Sequence, residues 1–343
     1  MTNDKLENED KKVSPKSGCL KRILLGILIA LLALVVIAAI AVACVLGHGG
    51  KTLQAKAEGD VPTLDGGTGY VYNEDIMTFL FMGIDKAGKL KTTDVFADGG
   101  QSDVMFLVVV NPDEERIDLI NVNRDTIVDI YCYGSVINGA TEVVKAQLTT
   151  QYGFGDGASL SAKYTEEAVS KLFYDLPITG YVSLGFDAIT VLNDAIGGVD
   201  VVCPEDLTFD VPYWTKGAEL HLEGYYAVHY VRLRDVTVFE SARTRQVRQK
   251  QYVNAFVDKT LSEIKKDITL PVTMYQQAVK YMNTDLTLDQ MAYLGSKALS
   301  YELGEIYSLE GKTVMGEQFE EFYPDEEKLK DLILQVFYEP VNE

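Results

Sequence analysis

Three histidines, four cysteines and one tryptophan are all that the 343 residues contain. No two Cys or His residues stand at zinc-ligand spacing, and no Ser-His-Asp or Cys-His arrangement is visible, so the sequence carries no signature of zinc chemistry or triad catalysis. Only Cys132 and Cys203 lie beyond residue 50. They could form one disulfide, but nothing in their spacing requires it, and both read as core thiols. His229, within YYAVHYVR, reads as a satisfied, half-buried residue rather than a base. Positive charge is scarce too: 31 Lys and Arg face 51 Asp and Glu, a formal net charge of −20. That excess excludes nucleic acid as a partner and disfavours non-specific binding to anionic lipid.

Arginine is the rarer cation, eight residues against 23 lysines, yet five of the eight fall between Arg232 and Arg248. Arg232, Arg234, Arg243, Arg245 and Arg248 put several permanently charged, planar forks close together in an acidic chain. A guanidinium meets phosphate or carboxylate bidentately, so such a cluster suits a pyrophosphate or polyanion. The competing reading is a solvated helix face paired with surplus acids.

One hydrophobic run breaks the pattern. Residues 23–46, ILLGILIALLALVVIAAIAVACVL, carry no charge and are long enough to cross a hydrocarbon core of about 30 Å. Lys11, Lys12, Lys16, Lys21 and Arg22 precede the run, whereas Glu58 and Asp60 follow it. The positive-inside rule therefore predicts a single-pass cell-membrane protein with a cytoplasmic tail (1–22), a transmembrane helix (23–47) and the remainder outside. AVAC at 41–44 also fits a weak lipoprotein cleavage site, but the apolar run continues past Cys44. Residues 1–22 hold six basic and four acidic side chains, which leaves −22 for everything after them.

Residues 48–75 show no hydrophobic periodicity and read as an extracellular spacer ahead of one domain at 76–343. Three short β-branched runs, 76–82, 103–110 and 116–122, predict strands, the last two joined by the turn Asn111-Pro112-Asp113. Residues 165–176 predict a helix, 181–186 a strand, 187–198 a helix that Asp187 can cap and Gly197 can stop, and 199–204 another strand. Beyond residue 240 the chain reads as mostly helical, with helix starts near Pro271 and near Asp285 or Thr287. Strands alternating with helices imply an α/β fold with a mixed central sheet between helical layers.

If the first three strands form an antiparallel meander, the end of the first, the start of the second and the end of the third share one sheet edge. Asp85, Asp103 and Arg124 stand at those places. Two carboxylates beside an arginine suit a hard divalent cation bound to phosphate oxygens, although a lone Asp is more often a turn residue. Arg245, Arg248 and Gln249 are three and four apart, one face of a helix. Arg232 and Arg234 would point the same way only if extended, just ahead of that helix. GFGDG at 153–157 lacks the Lys-Ser or Lys-Thr of a phosphate loop and reads as a turn.

The segments FLFMGIDK, QSDVMFLVVVNP, INVNRDTIV, KAQLTTQYGFGDG, YVSLGFDAITVLNDAIGGVDV, LEGYYAVHYVRLRD and RTRQVRQKQYVNAF together resemble, in order, the LytR-CpsA-Psr family of membrane-anchored cell-wall enzymes. The resemblance implies a greasy pocket for a polyprenyl chain beside the sheet. It places metal-binding acids at Asp85 and Asp103 and pyrophosphate-binding arginines at Arg124, Arg232, Arg234 and Arg245, with Arg248 and Gln249 completing an RxxRQ motif. The implied activity is a Mg²⁺-assisted phosphotransferase that attaches a glycopolymer, of teichoic acid or capsular type, from an undecaprenyl-pyrophosphate carrier to peptidoglycan. Asp85, Asp103, Arg124, Arg232 and Arg234 are then the expected catalytic residues. A lipid-pyrophosphate phosphatase and a non-catalytic wall-binding or regulatory protein are the rival readings. The chain departs from the family pattern at Gln101, where Arg is common, and at Ala242, where an acid or amide is common and Glu240 could substitute. It also departs at Lys145-Ala146-Gln147, after an apparent insertion at 131–142.

Overall fold

The computed structural model describes residues 43–57, 62–64, 67–93, 98–137, 140–233, 235, 241–267, 269–317 and 319–341. The apolar run 23–46 lies almost wholly outside them, as do Arg234 and Glu240 and the side chains of Arg243, Arg245 and Gln249. Among the described residues no helix is long and apolar enough to cross a membrane.

Six strands form the central sheet. β2 (Met77–Ile84), β3 (Ser102–Asn111) and β4 (Arg116–Asn121) make the antiparallel meander read from the sequence. β7 (Gly180–Gly185) lies parallel to β2 and β11 (Glu302–Ser308) parallel to β4, while the short β10 (Met282–Thr284) closes the β7 edge antiparallel. The order is β10-β7-β2-β3-β4-β11, a mixed sheet. The turn after β3 forms as expected, because Asn111 Oδ1 accepts from the amides of Asp113 (3.0 Å) and Glu114 (3.1 Å). Outside the sheet, β1 (Tyr70–Tyr72) pairs with β14 (Tyr338–Pro340).

Side chains alternate across a strand, so each strand feeds both faces of the sheet. Leu80, Met82, Ile84, Met105, Leu107, Val109 and Ile120 face one way. They are covered by α2 (Ser159–Leu172) and α8 (Glu326–Phe337). α8 presents Leu329, Ile333, Val336 and Phe337, a helical stripe, and each fully buried side chain of this kind contributes about 1.5–3 kcal/mol. Asp325 caps that helix by accepting from Glu327 and Lys328 amides at 3.1 Å. On the opposite face Met77, Phe79, Val110 and Ile117 are sealed by Leu53 and Ala57 of α1 (Ala43–Ala57) and by Met291 and Leu294 of α7 (Leu288–Ser300). Towards the other end of that face the cover thins: Phe81, Phe106 and Val108 are only half-buried and Val104 is exposed.

A second core lies beside the sheet, built from α3 (Asp187–Ala195), the hairpin of β8 (Val199–Val202) and β9 (Glu219–Leu222), α4 (Tyr225–Arg232), α5 (Ser241–Lys266) and α6 (Leu270–Ala278) around the buried Trp214. Cys132 belongs to the first core and Cys203 to this one, and both thiols are free. They are core thiols and no disulfide joins them.

Several local expectations are corrected. The first part of the expected spacer is the helix α1, whose Leu53 is fully buried against the sheet. Asp187 does not cap α3; its carboxylate takes the amide of Gly88 at 2.7 Å, while Gly197, at φ +76°, ends the helix as expected. Pro271 and Thr287 do sit at helix starts, Thr287 in a capping box with Gln290. Asp285 instead accepts from the Tyr181 amide and pairs with Lys56 and Lys163. The apparent insertion is a two-stranded ribbon, β5 (Ile127–Ile137) with β6 (Ala140–Gln147), and residues 302–324 add β11 and the hairpin of β12 (Gly311–Met315) with β13 (Glu320–Pro324) to a stretch expected to be helical.

β11 is tied to β4 by one buried carboxylate. Asp118 Oδ2 accepts from Arg116 Nε and its Oδ1 from the Glu305 amide, both at 2.7 Å. Gly304 has no Cβ because one would collide with Asp118 Oδ1. Asp118→Ala should therefore lower the unfolding free energy in urea by about 1–3 kcal/mol, the cost of leaving buried polar partners unmet, with Asp118→Asn milder. Gly304→Ala should destabilise as well.

Candidate active site

Strand register builds the site. Ile84 pairs with Ser102 on one side and Gly185 on the other, and Phe106 pairs with Asn121. The ends of β2, β7 and β4 and the start of β3 therefore meet at one edge. Asp85 follows β2 directly, and its backbone amide donates to Gln101 O at 3.0 Å while Gln101 N–H donates to Asp85 Oδ1 at 2.5 Å. The two residues thus close the base of the 85–101 loop. Gly100 (φ +88°) makes this possible, since a Cβ there would stand 3.0 Å from Asp85 Oδ1 and the left-handed conformation disfavours any other residue.

Arg124 is held by a tight turn. Asn123 Oδ1 accepts from the Asp125 amide at 2.9 Å, Thr126 Oγ1 donates to Asn123 O at 2.6 Å, and the Thr149 amide donates to Arg124 O at 2.9 Å. Its guanidinium bonds Oδ1 of Asp103 through Nη1 and Oδ1 of Asp125 through Nε at 3.2 Å. The Arg124 and Asp103 side chains are 38% and 34% exposed, so the pair lies open to a ligand from solvent.

Arg232 stands on the same side of the sheet. It is the last residue of α4, so its own backbone is helical rather than extended. Its exposed guanidinium lies 4.4 Å above the Phe186 ring, a cation–π contact, and the Phe186 amide donates to Lys86 O at 3.1 Å, next to Asp85. The structure thus gathers Asp85, Asp103, Arg124 and Arg232 at one edge.

Arg248 has a different task from the ligand contact its spacing suggested. Its side chain is 1% exposed. Nε donates to Glu205 at 2.7 Å, Nη1 to Tyr230 O and Nη2 to Leu233 O, so the fork joins α5 to the C-terminal end of α4 and to the loop before β9. Turned inward, it positions Arg232. GFGDG is a turn, as expected, and Asp156 serves the next helix by accepting from the amides of Ala158, Leu160 and Ser161. His229 is satisfied between Asp210 and Tyr225.

Two participants escaped the sequence reading. Asp125 shares Arg124 with Asp103 and also takes Gln147 Nε2 at 2.9 Å, and Glu205 pairs with Arg248. Asp125 could have been suspected from its place beside an arginine in a turn. Glu205, 43 residues from its partner, carried no signal.

The donor set suits a hard cation: two carboxylates at a strand edge beside an arginine are the few protein ligands Mg²⁺ takes when phosphate oxygens complete its shell. Among the described residues no group of three or more His, Cys, Asp or Glu is placed to hold a metal ion.

A mixed sheet between helical layers, with acids and arginines collected where strands end, defines an α/β domain with a charged cluster at one end of its sheet. The chain belongs to the LytR_cpsA_psr family, whose model matches residues 50–334. It is 30% identical over 228 residues to the polyisoprenyl-teichoic acid–peptidoglycan teichoic acid transferase TagU of Enterococcus faecalis (strain ATCC 700802 / V583), covering 64% of each chain. It is 27% identical over 221 residues to the protein of the same name from Bacillus cereus (strain AH820), again 64% of each. The match thus spans just under two thirds of the length of these curated relatives. The crystal structure of Bacillus subtilis TagV superposes with a TM-score of 0.50 at 23% identity, over 77% of this chain and 98% of that one, and so shares the fold.

Burial separates the two kinds of arginine experimentally. Arg248→Ala should lower stability by about 3–5 kcal/mol, as expected when one partner of a buried pair is removed. Arg124→Lys, at a half-exposed pair, should change it by less than about 1 kcal/mol. Urea denaturation of each variant distinguishes them.

Proposed function

We propose that the chain is a phosphotransferase that moves a glycopolymer from a polyprenyl-pyrophosphate carrier to peptidoglycan. The observation that carries this reading is the edge shared by Asp85, Asp103, Arg124 and Arg232. It adjoins an incompletely covered apolar sheet face at Phe81, Val104 and Phe106, which suits a greasy chain whose charged end reaches the edge. The transferase name carried by the relatives supports the same reading. The apolar run 23–46 would anchor the protein in the cell membrane, with the N-terminus in the cytoplasm and the domain outside beside its substrates.

In this reading the guanidinium groups of Arg124, Arg232, Arg234 and Arg245, with the Gln249 side chain, bind the pyrophosphate oxygens, while Arg248 sets the end of α4 that presents Arg232. Asp85 and Asp103 would hold Mg²⁺, which supplies positive charge against the charge of the phosphate oxygens. A peptidoglycan hydroxyl oxygen attacks the sugar-bearing phosphorus. The new P–O bond makes a phosphodiester, the bridging P–O bond breaks, and the lipid leaves as its monophosphate. The hydroxyl proton passes to one of the two aspartates, the acids at this edge. Positioning and electrostatics supply most of the effect, because the arginines gain most where charge moves to the leaving phosphate.

Incubating the protein with Mg²⁺, a lipid-pyrophosphate oligosaccharide and peptidoglycan fragments should give a phosphodiester-joined product by mass spectrometry. Release of free saccharide phosphate alone would mean a phosphatase, and tight lipid binding without turnover a binding protein. Asp85→Ala and Asp103→Ala should each remove most Mg²⁺-dependent turnover, with little further loss in the double variant, because ligands of one cation act as a unit. Additive losses would overturn a shared metal. Arg232→Lys keeps charge and loses the fork, so lipid-pyrophosphate affinity should fall by about tenfold to a hundredfold, the worth of one charge-assisted hydrogen bond. Unchanged affinity would remove Arg232 from the pyrophosphate site.

A further inference from the structure

A run of aromatic rings covers the outer surface of the second core. Tyr213, Tyr225 and Tyr226 are 58%, 66% and 44% exposed, although large apolar bodies at such exposure usually mark a binding surface when they are contiguous. They are contiguous. Tyr225 and Tyr226 have centroids 6.0 Å apart, Tyr226 lies edge-on to the buried Trp214 at 5.9 Å, and Tyr213, next to Trp214 in the chain, has its pKa raised by the neighbouring Tyr226 hydroxyl.

The rings are fixed from behind. His229 stacks on Tyr225 at 4.9 Å, bonds its hydroxyl through Nδ1 at 2.9 Å, and is itself held through Nε2 by Asp210 at 2.5 Å. The loop that carries Tyr213 is closed by Leu207 N–H donating to Trp214 O at 2.8 Å. Rings locked before binding lose little entropy when a ligand arrives, so this surface is preorganised. The second core does not need the outer faces for its own packing.

We infer that this platform is the acceptor subsite, where the flat C–H faces of uncharged amino-sugar rings in a glycan strand stack on Tyr213, Tyr225 and Tyr226. The inference rests on the transferase reading above, and charge selects the occupant. Residues 204–226 hold five acids against one lysine, Lys216. That field repels a phosphate-rich donor polymer and an anionic lipid surface alike, but leaves a neutral sugar chain unopposed. α4 carries Tyr225 and Tyr226 in its first turn and Arg232 at its end. Seven residues of helical rise separate them by about 10 Å, the reach of a short oligosaccharide. A glycan on the rings can therefore present a hydroxyl towards the arginine edge.

The test measures binding of β-1,4-linked N-acetylglucosamine oligomers to the full-length chain by calorimetry, without any lipid donor. Tyr225→Ala/Tyr226→Ala should weaken binding about tenfold or more at unchanged melting temperature, as loss of central aromatic contacts does. Tyr225→Phe, which keeps the ring, should bind nearly normally. Arg232→Lys should bind the oligomer as the parent does, so failure of the pyrophosphate reading and failure of this one give different results. Equal binding by parent and double alanine variant, or no binding by the parent, would overturn the subsite. So would slower amide exchange across α4 on insertion into phosphatidylglycerol-containing nanodiscs with no response to oligomer, which would make the rings a membrane contact.

Discussion

The buried guanidinium of Arg248 holds together the parts of the molecule on which the rest depends. One fork reaches Glu205, the carbonyl that begins the last turn of α4 and the carbonyl just beyond that helix. Helices end with unpaired carbonyls, and here an arginine from another helix satisfies them. A buried charge without partners would be costly, so the three elements are constrained to meet in one arrangement. Arg232 lies between the two carbonyls that this fork holds, at the end of α4. The charge cluster noticed in the sequence is therefore divided in use: one arginine faces inward to fix the frame, and another is displayed on it.

The other constraint is strand parity. A meander of three strands brings the end of β2, the start of β3 and the end of β4 to one edge, and a slip of one residue would turn every side chain of a strand to the opposite face of the sheet. Both faces are apolar but pack against different helices, so the side chains fitted to each layer hold the register. The distance between Asp85 and Asp103 is therefore governed by the hydrophobic pattern that pairs Ile84 with Ser102, and Gly100 lets the intervening loop return without collision. Packing chemistry far from the edge thus sets the geometry at it.

The mixed sheet, the meander and the edge that joins Asp85, Asp103 and Arg124 were legible because they depend on local period and turn chemistry. Less legible was whatever depends on partners distant in sequence. Arg248 and Gln249 look like one polar helix face, yet burial turns Arg248 inward, and no spacing rule names Glu205 as its partner. A shared direction for Arg232 and Arg234 required an extended backbone, and α4, whose eight residues include three Tyr and two Val, was not read as a helix. α1 was hidden for the opposite reason: Gly, Lys and Thr mask a helix whose one fully buried leucine, Leu53, is enough to dock it. Asp187 shows the limit of capping rules, since a loop amide from Gly88 competed for its carboxylate and won.

The charge distribution explains how one small domain could keep two polymers apart. A chain at −20 repels phosphate-rich ligands almost everywhere, and this repulsion acts over about a Debye length, roughly 10 Å at moderate salt. An anion gains by approaching only where guanidinium groups converge, and the described part of that place is the edge near Arg124 and Arg232. On the proposed function, the incompletely covered apolar sheet face beside it would take a hydrocarbon chain without reference to charge. An acidic aromatic surface at the other end of α4 offers nothing to a phosphate but stacking area to a sugar. On the proposed function, opposed charge at the two ends of a helix only eight residues long would give each ligand one favourable place and bring their reacting atoms towards each other without a moving part.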